Sequence, residues 1–140
     1  MAQTLHFDEV KEGDEAPVKR HTLTRTDLVR YAGASGDYNP MHHDEVLATR
    51  AGQPSVFGHG MFSMGLLGSA LTDYVGAGHV TNYKVRFSRQ TWPDEELVTR
   101  IVVKGKRVED GRQLVDLECE LANAGGEVKV VGEATAVVPG

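Results

Sequence analysis

The second half of the chain alternates between apolar and polar positions. Tyr83, Val85 and Phe87 interleave with Asn82, Lys84, Arg86 and Ser88, and Leu97, Thr99, Ile101 and Val103 face away from Arg100 and Lys104. Val115, Leu117, Cys119 and Leu121 alternate with Leu114, Asp116, Glu118 and Glu120. Val128, Val130, Ala134, Ala136 and Val138 alternate with Lys129, Val131, Glu133 and Thr135. Successive side chains of a strand point to opposite faces, so this pattern predicts strands with one dry face and one wet face, Lys129 on the wet one. Asp110-Gly111 suits a two-residue hairpin turn, and Asn123 to Gly126 tolerates positive φ. The connection predicted is an antiparallel meander.

A dry face has to be covered, and the long apolar segment left to cover it runs from Gly60 to about Val75. Met61, Phe62, Met64, Leu66, Leu67, Ala70, Leu71, Tyr74 and Val75 spread around nearly the whole circumference of a helix, the pattern of a helix surrounded by protein. Ahead of it, Thr24 is placed to cap a helix starting near Thr26 and stopping near Gly33, with Asp27 at its positive end. Asp44 is placed to cap a second one through Glu45 to Ala48, closed by Gly52 and Pro54. The expected fold class is α+β: a curved antiparallel sheet wrapped around one long central helix.

Length and composition narrow the function. A chain of 140 residues supports one domain, residues 1–140, and its 40% hydrophobic and 25% charged residues are those of an ordinary globular protein. The formal charge of −5 argues against a nucleic-acid footprint, which needs clustered Lys and Arg. Met61 to Val75 is interrupted by Ser63, Ser69, Thr72 and Asp73, and it is shorter than the roughly 20 residues of a membrane span. The start, MAQTLHFDEVKEGDE, lacks the basic and apolar regions of a signal peptide, so a cytoplasmic location is expected. The single Cys119 excludes a disulfide framework or a cysteine zinc site within the chain and reads as a buried, inert thiol.

Chemistry concentrates in two places. Asp37 and His42 flank Asn39-Pro40, and Pro40 restricts both itself and the residue before it, which makes a stiff loop. A carboxylate and an imidazole that meet at one water can move protons near neutral pH. The second place is Gly58-His59-Gly60-Met61, where the long helix begins. A helix N-terminus offers unpaired N–H groups and partial positive charge, and such donors form an oxyanion hole if a carbonyl oxygen reaches them. His42, His43, Asp44, Glu45 and His59 crowd the region, but they contain no helical histidine pair at i and i+4, so no metal is expected. Ser63 lies in G-x-x-S-x-G, not in the G-x-S-x-G of a nucleophile elbow.

The run YAGASGDYNPMHHDE followed by FGHGMFSMG resembles the signature of the MaoC-like, (R)-specific enoyl-thioester hydratase family, and the likeness extends from about Leu5 to Val138. The resemblance implies the hot-dog fold, two such units packed together, and water added across a trans-2-enoyl thioester or removed in reverse. It implies Asp37 and His42 as the acid-base pair and the backbone N–H of Gly60 as the donor to the thioester oxygen. Asn39, His59 and Gly60 become the expected substrate contacts. The substrate is an acyl thioester of CoA or of acyl carrier protein, no cofactor is implied, and the partner is a second hot-dog subunit in a homodimer or heterodimer. A serine that supports the histidine in some members would fall near Gly68-Ser69 here. Lys84, Arg86, Lys104, Lys106 and Arg107 are candidates to meet the carrier's phosphates. Two alternatives on the same fold are a non-catalytic acyl-binding subunit and a thioesterase.

Overall fold

The computed structural model describes residues 5–140. Its elements are β1 (Arg20–Thr22), α1 (Arg25–Ser35), a short 3-10 turn (Pro40–His42), α2 (Glu45–Arg50), α3 (Gly60–Val75), β2 (Val80–Phe87), β3 (Glu96–Glu109), β4 (Arg112–Asn123) and β5 (Val128–Val137). The five strands form one sheet in the order β1-β3-β4-β5-β2, and every pairing is antiparallel. The meander expected from the turns is present from β3 to β5. β2 departs from it: it joins the far side of β5, so that β4 and β5 lie between it and its successor β3. The Asp110-Gly111 turn has φ of 53° and 77°, the positive pair that a tight hairpin between β3 and β4 demands.

The sheet's dry face is the alternation read from the sequence. Leu97, Ile101 and Val103 of β3, Val115, Leu117, Cys119 and Leu121 of β4, and Val130, Ala134 and Ala136 of β5 are all buried in one core with Leu67, Ala70, Leu71 and Val75 of α3. Burial, with Glu118 nearby, pushes the Cys119 thiol up to about 12, so it stays a thiol near neutral pH. Two glycines are closely approached. A Cβ on Gly132 would lie 2.4 Å from the carbonyl oxygen of Lys84 across the β5–β2 pair, and one on Gly68 would lie 3.2 Å from the Tyr83 ring. Tyr83 donates its hydroxyl to the Met64 carbonyl at 2.8 Å, tying β2 to the middle of α3.

Capping sets the helices ahead of α3. Thr24 and Asp27 form a reciprocal capping box on α1, and Asp44 accepts from Leu47 N at the start of α2. The stop of α1 is Gly36 at φ 76°, not Gly33, which lies within the helix; the left-handed conformation is what ends the helix.

Three other expectations are corrected by packing. Lys129, placed on the wet face by alternation, is fully buried and bonds Gln90 O at 2.9 Å, Glu127 Oε1 at 2.6 Å and Glu95 Oε2 at 2.9 Å. The loop after β2 folds over it. Phe87, expected to face the core, is about half exposed beside the N-terminus of α3. The long helix is not covered all round: Met61, Met64, Gly65, Gly68, Ser69 and Thr72 line an open apolar groove of about 410 Å³ together with Val80 and Tyr83. Among the described residues no helix is long and apolar enough to cross a membrane.

Candidate active site

The loop between α1 and α2 is built from side chains that imitate backbone. Ser35 Oγ accepts Asp37 N at 3.1 Å, Asp37 Oδ1 accepts Asn39 N at 3.2 Å, and Asn39 Oδ1 accepts Met41 N at 3.1 Å. Three successive bonds of this kind, each reaching two residues on, hold an irregular segment without help from a sheet. Pro40 then starts the 3-10 turn, whose last residue is His42. Because Asp37 uses Oδ1 in its own turn, Oδ2 is left to face His42 Nε2 at 3.8 Å. That gap is too wide for a direct hydrogen bond and narrow enough for one water to bridge.

His42 is held from behind. Its Nδ1 lies 2.7 Å from the carbonyl of Phe57, and a carbonyl only accepts, so Nδ1 carries the proton and neutral His42 presents a bare Nε2. The Phe57 ring meets the imidazole edge-on at 5.2 Å, and Trp92 meets Phe57 at 5.9 Å. The side chain of Asp37 is half exposed, whereas His42 is buried.

The Gly58–Gly60 segment runs past this pair into α3. Gly58 N donates to Thr91 O at 2.8 Å, and a Cβ on Gly58 would stand 2.2 Å from Thr91 Oγ1, so only glycine fits against the loop that follows β2. Gly60 is the first residue of α3, and His59 caps the helix without a side-chain bond. Phe62 N and Ser63 N both turn back to His59 O, while Gly60 N and Met61 N have no backbone or side-chain acceptor among the described residues. These are the orphan donors that a helix start offers to an anionic oxygen. Gly60 borders a cleft of about 270 Å³ that His42, Ser63, Phe87, Arg89 and Val130 also help to line.

The residues singled out from sequence are thus only partly brought together. His42 and Gly60 line one cleft, and Asp37 reaches it through His42, with Oδ2 3.8 Å from Nε2. Asn39, expected at the substrate, spends its side-chain oxygen on capping Met41 N and is not among the cleft residues. His59, also expected at the substrate, is 1% exposed; Tyr31 meets its ring edge-on at 4.8 Å, and His42 stacks on it. Ser69 lies in the α3 groove away from His42, and the α3 serine that shares the cleft with His42 is Ser63, one turn into the helix; Ser88, after β2, lines the same cleft. Three of the five basic candidates are engaged elsewhere: Lys104 with Glu118, Lys106 with the Phe7 carbonyl, and Arg107 with Asp116 and Glu109. Arg89, which no sequence pattern marked, is the cation at the cleft. Asp37, His42 and His59 bring one possible ligand atom each within 4.8 Å of one another. The two rings are stacked at an interplanar angle of 26°, so their nitrogens project side by side rather than toward one centre.

Comparison with known proteins supplies the family. The MaoC like domain matches residues 6–124. An (R)-specific enoyl-CoA hydratase of Rhodospirillum rubrum is 29% identical over 96% of this chain and 92% of its own length. The 3-hydroxyacyl-thioester dehydratase Y of Mycobacterium tuberculosis is 36% identical over 81% of this chain, which spans 39% of that longer protein. Among solved structures, the R-hydratase PhaJ1 of Pseudomonas aeruginosa superposes with a TM-score of 0.86 at 25% identity, covering 97% of this chain and 86% of that one. With its helix held in the curve of an antiparallel sheet and its Asp37–His42 loop beside the start of that helix, the chain belongs to the MaoC-like family of hot-dog hydro-lyases.

Proposed function

We propose that this chain adds water across the double bond of a trans-2-enoyl thioester to give the (3R)-hydroxyacyl thioester, or runs the reverse dehydration. The observation that carries the reading is the 3.8 Å gap between Asp37 Oδ2 and His42 Nε2 beside the unpaired N–H of Gly60. A water in the gap donates one O–H to each acceptor, which aims an oxygen lone pair out of the pair. As that oxygen bonds C3 of the enoyl group, the C2–C3 π electrons move toward the thioester and charge builds on its carbonyl oxygen. The Gly60 N–H meets that charge where it develops, so it stabilises the transition state more than the ground state.

The water must lose one proton and C2 must gain one. Bare Nε2 of His42 takes it while Asp37 balances the imidazolium, and the same nitrogen returns it to C2. Water and proton then reach the double bond from one side. Asn39 serves by shaping the turn that presents Asp37, and Arg89 is placed to meet an anionic group of the carrier, CoA or acyl carrier protein.

The open groove along α3 supports a second hot-dog subunit, identical or not, as the partner. The sheet ends on β2, whose Val80 and Tyr83 also wall that groove, so one subunit would cover both apolar side chains and strand edge. The test of the reaction is the ultraviolet band of crotonyl-CoA and longer enoyl-CoA substrates incubated with the purified chain, alone and with a co-expressed homologue. Loss of the band without free thiol, and a (3R) product on a chiral column, is expected. Release of thiol would make the protein a thioesterase, and no loss under either condition would leave it an acyl-binding subunit.

A further inference from the structure

His59 is the buried polar residue that touches both members of the acid-base pair while reaching neither solvent nor cleft. Its Nε2 lies 3.1 Å from the backbone carbonyl of Asp37, which can only accept, so Nε2 carries the proton. Its Nδ1 is buried without a partner. Its ring stacks on His42 with centroids 3.9 Å apart. We infer that His59 is a positioning residue: a buried imidazole that pins the Asp37 loop through its carbonyl and backs the His42 ring, setting the gap in which water sits.

The inference rests on the hydratase reading and goes beyond it. Pinning is needed because the Asp37 end of the loop is otherwise held by local bonds; the other ties to the segment before α3, His42 Nδ1–H to Phe57 O and Phe57 N–H to Met41 O, lie beyond Pro40. The His59 bond, spanning 22 residues, is a side-chain tie from the loop to the helix start. Neutrality is needed because His42 becomes cationic in mid-reaction, and a second cation stacked on it would oppose that step. Burial lowers the proton affinity of His59, the bond to the Asp37 carbonyl works the other way, and His42 adds to the lowering; Asp37 and His43 are the remaining titratable groups that act on it.

Two variants and one spectrum test this. His59→Phe keeps a stackable ring and loses the N–H; His59→Gln returns an amide N–H near the same reach. The first should cut kcat about 100-fold, the scale of a catalytic group displaced by about 1 Å, with KM nearly unchanged. His59→Gln should recover part of that loss. A rise in KM at unchanged kcat would mean that His59 contacts substrate and would overturn the inference. The unmodified chain gives an independent answer by ¹⁵N NMR of its imidazoles. His59 should be neutral and protonated at Nε2 across the active pH range, and a ring protonated at Nδ1 or charged at pH 7 would also overturn the inference. Failure of the unmodified chain to consume any enoyl thioester would sink the hydratase reading and not the clamp, which the spectrum decides separately.

Discussion

His42 donates Nδ1–H to the carbonyl of Phe57 and turns its bare Nε2 toward Asp37 Oδ2, 3.8 Å away. The proton inventory of the site follows from that single orientation, and so does the first prediction. Asp37→Asn removes the charge that balances the imidazolium, and His42→Ala removes the proton carrier. Each should lower kcat for crotonyl-CoA hydration by at least about 100-fold. Circular dichroism should stay that of the parent for Asp37→Asn, because the side chain is half exposed and Asn retains an oxygen for the turn.

Gly60 offers a way to delete one hydrogen and little else. Proline is accepted at the first position of a helix, and His59 already has the extended conformation, φ −65° and ψ 134°, that precedes proline. Gly60→Pro should therefore keep α3 and lose the donor, cutting kcat by about 100- to 1,000-fold. Gly60→Ala keeps the N–H and sets a methyl 3.4 Å from the Phe87 ring, so its kcat should stay within a few-fold of the parent. Equal losses in the two variants would show that the methyl, not the missing hydrogen, matters.

The contact between Gly58 and Thr91 is a packing prediction. Gly58→Ala places a carbon 2.2 Å from Thr91 Oγ1 and should destabilise the fold by about 1–3 kcal/mol in a denaturant titration. Thr91→Ala removes a buried hydroxyl that has no hydrogen-bond partner, so alone it should be close to neutral. In the double variant most of the Gly58→Ala loss should disappear, which a double-mutant cycle measures directly.

Lys129 is a buried cation whose loss leaves charge behind. Lys129→Met strands Glu95, which is mostly buried and retains only the Asn123 amide and the Trp92 N–H, and should cost about 3 kcal/mol. The same ammonium holds Gln90 O, and Gln90 and Thr91 both line the cleft, so activity of the folded variant should fall as well.

His59 gives the pH dependence of stability its sign. Its folded proton affinity is lowered, chiefly by burial, so the unfolded chain binds more protons. The resulting stability is complete above the ordinary histidine value of 6.5 and is lost as pH falls through the lower, folded value. Thermal melts should show Tm dropping as pH falls from about 6.5 toward the folded value, with a flatter profile for His59→Phe. A Tm that rises with acid over the same range would contradict the assignment.

What the sequence alone determined is what local physics writes into adjacent residues. The dry faces of β3 and β4, the Asp110-Gly111 hairpin, the capping of α1 by Thr24 and the bounds of α3 at Gly60 and Val75 all came from periodicity and turn chemistry, and the chain's motifs carried the family resemblance. Tertiary structure decided the rest. That β2 crosses to β5, that Lys129 lies under the loop after β2, and that one stripe of α3 stays open depend on which segments cover which, and alternation within a strand is blind to its neighbours. The same holds for the site: Asp37 and His42 are five positions apart and could be paired by reading, but His59 stacks beneath them only because α3 starts where the loop ends in space. Spacing along a chain says which side chains exist near a loop; only the packed backbone says which way a ring faces and what stands behind it.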